Sequence, residues 1–225
     1  MTGVLTLYRT SIGKKAVMAV TGLIGYGFVV AHMIGNLKIF EGSVGFNAYA
    51  EFLREVGYPL VPHTGLLWIA RIVLLTAVIL HVVSAIQLTR MGLVSRPMNY
   101  AQKKSVQASF ASMTLRWGGI ALLFFIIYHL LHFTIGVAHP DFVYGAAYEN
   151  VVIGFQNPFI VLIYLVAISA LAMHLYHGVW SMFQTLGLNN VRTNSLWRGL
   201  ATLSAIALFV GFSLVPLSVM FGLVR

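Results

Sequence analysis

The chain contains no cysteine, and only five of its 225 residues are acidic. Without cysteine it can form no disulfide, no thiolate-held iron-sulfur cluster and no covalently attached c-type haem, so any redox centre in it must be held by other side chains. Charged residues make up only 8% of the sequence and hydrophobic residues 59%, with a mean hydropathy of +0.88. Soluble domains carry about a quarter charged residues, so this composition excludes an ordinary water-soluble fold. What little charge there is sums to +9.

What is abundant is long apolar sequence. Runs near 15–38, 65–89, 117–138, 157–184 and 198–222 are each long enough to cross a hydrocarbon core of about 30 Å as a helix. The expectation is an all-α integral membrane protein, a single membrane domain over 1–225, with five transmembrane helices. The first run is too long for a signal-peptide core and has no small-residue cleavage site, so it is expected to be retained. The segment from about 39 to 63 places Phe46, Tyr49, Ala50 and Leu53 at helical spacing, which predicts a short surface helix. Pro140 is taken as the end of the third span.

The charges are sorted by side. All five acids, Glu41, Glu51, Glu55, Asp141 and Glu149, fall in one set of loops, and most of the Lys and Arg, including Lys14, Lys15, Arg96, Lys103, Lys104 and Arg116, fall in the other. Basic loops stay on the cytoplasmic side, which places the N-terminus inside and the C-terminus outside. The net charge is therefore a record of topology, and nucleic-acid binding is set aside. The segment 91–114 is read as a solvated loop, a lipid-headgroup contact or a docking surface.

Histidine is the ionisable residue inside the spans: His32 in the first, His81 in the second, His129 and His132 in the third, His174 and His177 in the fourth. An ionisable group in a membrane helix is costly and marks function by default. One such residue alone is more simply a packed neutral imidazole. Four successive helices each carrying one reverse that preference. Counted from the expected outer ends at a rise of about 1.5 Å per residue, His32, His129 and His132 lie about 9, 15 and 10 Å deep, and His81, His174 and His177 about 28, 24 and 28 Å.

Two layers result, one from the first and third helices near the outer face and one from the second and fourth near the inner face. Two bis-histidine haem b sites in a bundle of the first four helices account for this, since facing imidazoles can clamp a haem in a bundle core. The spans hold no Asp, Glu or Cys, which weakens a zinc or copper site and a carboxylate proton relay. Glycines near the histidines, among them Gly22, Gly25, Gly118, Gly119 and Gly178, suit close approach of a porphyrin or a helix. A weak repeat relates the two helix pairs: Gly22 is ten residues before His32, and Gly119 ten before His129. Spacing alone leaves His129 and His132, and likewise His174 and His177, as alternatives.

These residues resemble a known family, the single-chain, two-haem cytochrome b membrane-anchor subunit of succinate dehydrogenase and fumarate reductase (succinate:quinone oxidoreductase). The carriers are Ser11-Ile12-Gly13-Lys14-Lys15 with Met18-Ala19-Val20-Thr21-Gly22, Ala31-His32-Met33-Ile34-Gly35-Asn36, Leu80-His81, Arg116-Trp117-Gly118-Gly119, Tyr128-His129 and Met173-His174-Leu175-Tyr176-His177-Gly178. The resemblance implies an outer haem on His32 and His129 and an inner haem on His81 and His174, with His177 near a propionate or quinone. It implies electron transfer between an iron-sulfur subunit, itself served by a flavoprotein subunit, and a membrane quinone, menaquinone by the two-haem type, in the cytoplasmic membrane of a bacterium. The chain itself would not act on succinate. Ser84, Gln87, Arg116, Trp117 and His177 are candidates for quinone contacts at the inner haem, and His63 and Arg71 at the outer, while Lys14, Lys15 and Arg116 are candidates for pairing haem propionates. Some members of that family place a glutamate of a proton path in a span, and this chain has none there. Competing readings are a two-haem cytochrome serving a hydrogenase or formate dehydrogenase, and a haem-free transporter or structural bundle.

Overall fold

A computed structural model describes residues 3–95 and 110–225. Its helices are α1 (Val4–Arg9), α2 (Ser11–Leu37), α3 (Gly42–Glu55), α4 (Gly65–Val94), α5 (Phe110–Leu130), α6 (Ala147–Phe155), α7 (Pro158–Thr185) and α8 (Asn194–Met220). A 3-10 turn at Lys38–Glu41 follows α2, and a π-helical turn at Leu131–Ile135 extends α5. The described residues are all-helical apart from turns and connections, and five helical segments are long and apolar enough to cross a membrane. Arg96, Lys103 and Lys104 of the basic segment lie outside the described residues.

Local chemistry sets the helix ends. The Thr10 hydroxyl accepts from the Gly13 N–H to cap α2, and Lys14 reaches back to the Tyr8 and Arg9 carbonyls, satisfying the end of α1. Asn157 caps α7, with Pro158 pre-set for its first turn. The third span ends at Ile135, before Pro140: Gly136, at φ +87°, turns the chain there. Only glycine takes that conformation without steric cost, so glycine and not proline terminates the helix.

The five long helices alternate in direction, with α3 and α6 covering one end. That end carries all five acids. The Asn47 side chain ties the two short helices together, accepting from the Tyr148 N–H and donating to Glu149. Phe46 and Tyr49 of α3 face inward, Phe46 buried and Tyr49 against Gly35, whereas Leu53 is exposed. The short helix α6 was not anticipated from sequence.

One core cluster gathers Val161, Tyr164 and Ile168 of α7 with Val215 and Val219 of α8 and Phe155 of α6. A second joins Leu175 and Val179 of α7 to Ala201 and Leu208 of α8 and to Tyr26, Val29 and Met33 of α2. The fifth long helix thus packs into the bundle and does not merely flank it. Leu75, Trp117, Phe124, Val166 and Ile206 project large apolar surfaces outward, the arrangement expected where lipid is the solvent.

Candidate functional site

At the acidic end, His32 of α2 and His129 of α5 meet with ring centroids 5.8 Å apart and planes at 80°. Phe28 stacks on His32, and Phe125 lies against His129. With the third span ending at Ile135, the earlier depths need correction: His129 lies six residues from its helix end and His32 five, about 9 and 7.5 Å at 1.5 Å per residue. The two are now level. His132 is nearer the surface and turned elsewhere, fully buried in the π turn with Nδ1 2.9 Å from the Tyr164 hydroxyl. Its ring stacks on those of Tyr128 and His139.

His139 in turn seals the loop. Its Nδ1 accepts from the Asp141 N–H, so Nε2 carries the proton and donates to the Asn150 carbonyl at 2.8 Å. The Asn150 side chain completes the clamp with both backbone groups of Val143.

Toward the basic end, His81 and His174 each stand sixteen residues after the first residue of their helix, Gly65 and Pro158. Both are about 24 Å in by helix rise. Their ring centroids are 6.3 Å apart. A glycine of the neighbouring helix backs each ring: a Cβ on Gly22 would lie 3.5 Å from His81 Cε1, and one on Gly119 would lie 3.7 Å from His174 Cε1. The repeat seen in sequence therefore has a spatial counterpart, with α2 and α4 related as α5 and α7 are. The His81 Nδ1 is 3.2 Å from the Thr21 hydroxyl, whereas the buried His174 Nδ1 has no partner among the described residues. His177 is half-buried and meets the Trp180 edge.

The pairings suit a metal between two imidazoles. With metal–nitrogen bonds of about 2 Å, as for zinc, and about 1.1 Å from nitrogen to ring centre, two imidazoles that share a metal would have centroids at most about 6.2 Å apart. The observed 5.8 and 6.3 Å lie close to that value.

The remaining candidates separate. Ser84, one turn beyond His81, is fully buried and its hydroxyl has no partner among the described residues. Gln87 accepts from the Tyr8 hydroxyl at 3.1 Å. Lys15, Arg116 and Trp117 are exposed at the basic end. His63 reaches Glu51 at the surface, and Arg71 covers the Trp68 ring. Sequence reasoning missed Tyr164, whose hydroxyl lies 3.2 Å from His129 Nδ1 as well as near His132, and it gave Thr21 no role. The place of Thr21 beside the repeat glycine Gly22 was the available signal; a lone tyrosine in an apolar helix offers none.

The model of one protein family, described as the succinate dehydrogenase/fumarate reductase transmembrane subunit, matches residues 94–214, more than half of the chain. That range holds His129, His132, His174 and His177, while His32 and His81 precede it. Comparison with curated proteins and with solved structures gives no match.

Proposed function

Because the chain belongs to the succinate dehydrogenase/fumarate reductase transmembrane-subunit family, we propose that it anchors such a complex and holds two b haems, one between His32 and His129 and one between His81 and His174. The carrying observation is the pairing of four helices' histidines into two level layers at near-ligand spacing. When bound, a haem in each layer supplies a one-electron carrier, and helix rise puts the layers roughly 15 Å apart along the bundle.

The residues of the chain supply position and insulation. Phe28, Phe125 and Phe212 surround the His32–His129 pair with apolar rings, and α3 and α6 cover that end. The basic end, on the cytoplasmic side by the Lys and Arg distribution, is the docking face for the iron-sulfur subunit, which the flavoprotein subunit serves. Quinone, menaquinone by the two-haem type, needs a donor beside an apolar wall. Ser84 and His177, each three residues beyond a histidine of the His81–His174 layer, are the donors this reading assigns to quinone, and exposed Lys15, Arg116 and Trp117 suit propionates or the membrane interface.

The test is co-expression with the two soluble subunits, followed by pyridine haemochrome quantification and succinate:quinone reductase assay of the purified complex. Two haems b per chain with quinone reduction support the reading. A stable, haem-free complex would reject the haem assignment while leaving the anchor role.

A further inference from the structure

We propose that Thr21 and Tyr164 are positioning residues whose hydroxyls hold Nδ1 of one imidazole in each layer, His81 and His129 respectively, leaving Nε2 of each directed to iron. The proposal rests on the two-haem reading above.

The hydrogen-bond geometry fixes the direction at Thr21. A threonine hydroxyl has one proton to donate. At Thr21 the oxygen lies 2.8 Å from the Val17 carbonyl and 3.2 Å from that of Met18, so its proton goes to its own helix. Toward His81 it can only accept. His81 must therefore carry its proton on Nδ1, and in a neutral ring Nε2 is then the free lone pair.

Tyr164 also has one proton, and two Nδ1 atoms within reach, His129 at 3.2 Å and His132 at 2.9 Å. If His132 donated and His129 accepted, the His129 proton would sit on Nε2 and no metal could bind there. The ligating arrangement is the reverse: His129 donates to Tyr164, and Tyr164 donates to His132 Nδ1. That places the His132 proton on Nε2, the buried nitrogen without a partner among the described residues. His132 then serves as the acceptor that orients the phenol, three residues from the ligand it helps to aim.

The pattern is one hydroxyl per layer. In the repeat register, the position matching Thr21 is Gly118, which has no side-chain oxygen, and His174 Nδ1 is correspondingly unpartnered. A hydrogen bond from Nδ1–H makes the ring a stronger donor to metal and favours the ferric state; losing it raises the midpoint potential.

The experiment compares wild type, Thr21→Val, Thr21→Ser and Tyr164→Phe by haem quantification, potentiometric titration and low-spin ferric electron paramagnetic resonance. Thr21→Val is expected to raise the potential of the His81–His174 haem alone, with Thr21→Ser restoring it, and Tyr164→Phe that of the His32–His129 haem alone. A tenfold loss of ferric preference reads as about 59 mV for one electron. Loss of one layer's haem in Thr21→Val or Tyr164→Phe, with the other haem at its normal potential, also supports the proposal, provided Thr21→Ser keeps both haems. Two haems with unchanged potentials and resonance in Thr21→Val and Tyr164→Phe would overturn it, as would a Thr21→Ser protein that behaves like Thr21→Val. Wild type without haem would instead bring down the reading beneath it.

Discussion

His81 and His174 stand at the same level on two helices that run in the same direction, each sixteen residues from its helix start, with rings 6.3 Å apart. A pair so matched can share one bound group, which makes the consequences of removing either ring specific.

His81→Ala and His174→Ala are each expected to reduce haem from two per chain to one, with the same spectral component lost. His32→Ala and His129→Ala should remove the other component. His132→Ala and His177→Ala should keep two. Reduced-minus-oxidised spectra with pyridine haemochrome quantification decide; retention of both haems after His129→Ala would move that ligand to His132.

Gly22 and Gly119 set the room behind the same two rings. A methyl at either position makes ordinary contact, at 3.5 and 3.7 Å from the imidazoles, so Gly22→Ala and Gly119→Ala should keep both haems. The imidazole is the neighbour that a side chain at either site meets first, so the longer branch of leucine competes with the ring for its place. Each leucine variant should lose the His81–His174 haem and retain the other, as read from the visible spectrum.

Gly154 packs under rigid rings at the acidic end. A Cβ there would lie 2.9 Å from the Phe133 ring and 3.1 Å from His139 Nε2. Gly154→Ala should destabilise this end by about 1–3 kcal/mol, the usual cost of overpacking, and lower the thermal midpoint in detergent.

Lys14 is buried and donates to two backbone carbonyls at 2.9 and 3.0 Å, whereas Lys15 is exposed. Hydrogen bonds from a charged donor contribute about 1.5–3 kcal/mol each. Lys14→Met should free α1 and speed proteolysis near Arg9, while Lys15→Ala should change stability by no more than about 0.5 kcal/mol.

Glu51, outside the spans, lies against Arg54 and His63. The hydrogen bond from Arg54, then that with His63, holds its carboxyl below the ordinary 4.5. A depressed carboxylate contributes stability above its unfolded value and loses it as pH falls through the folded one. Arg54→Ala should therefore raise the Glu51 titration midpoint toward 4.5, as followed by carboxyl carbon resonance.

Much of this molecule is legible in one dimension. Five spans follow from run length against a hydrocarbon thickness, and two layers from the fixed rise of a helix applied to six histidines. Helix ends were read less well, because Gly136 acts through a positive φ that its neighbours in sequence do not advertise, and the π turn behind it follows from packing.

Which ring meets which was decided only in three dimensions. Helices α4 and α5 are apolar nearly all round, so no polar stripe marks the face each turns inward, and rotation about the helix axis is free until neighbours pack. Packing turns His129 toward His32 and His132 toward Tyr164 and His139. It also brings Thr21 to His81 across 60 residues and Tyr164 to His129 across 35, contacts that no local spacing rule could reach. The sequence by itself determined the number of spans and the layering of their histidines. The tertiary structure decided their partners, because a helix's rise is set by its own backbone and its rotation by what it packs against.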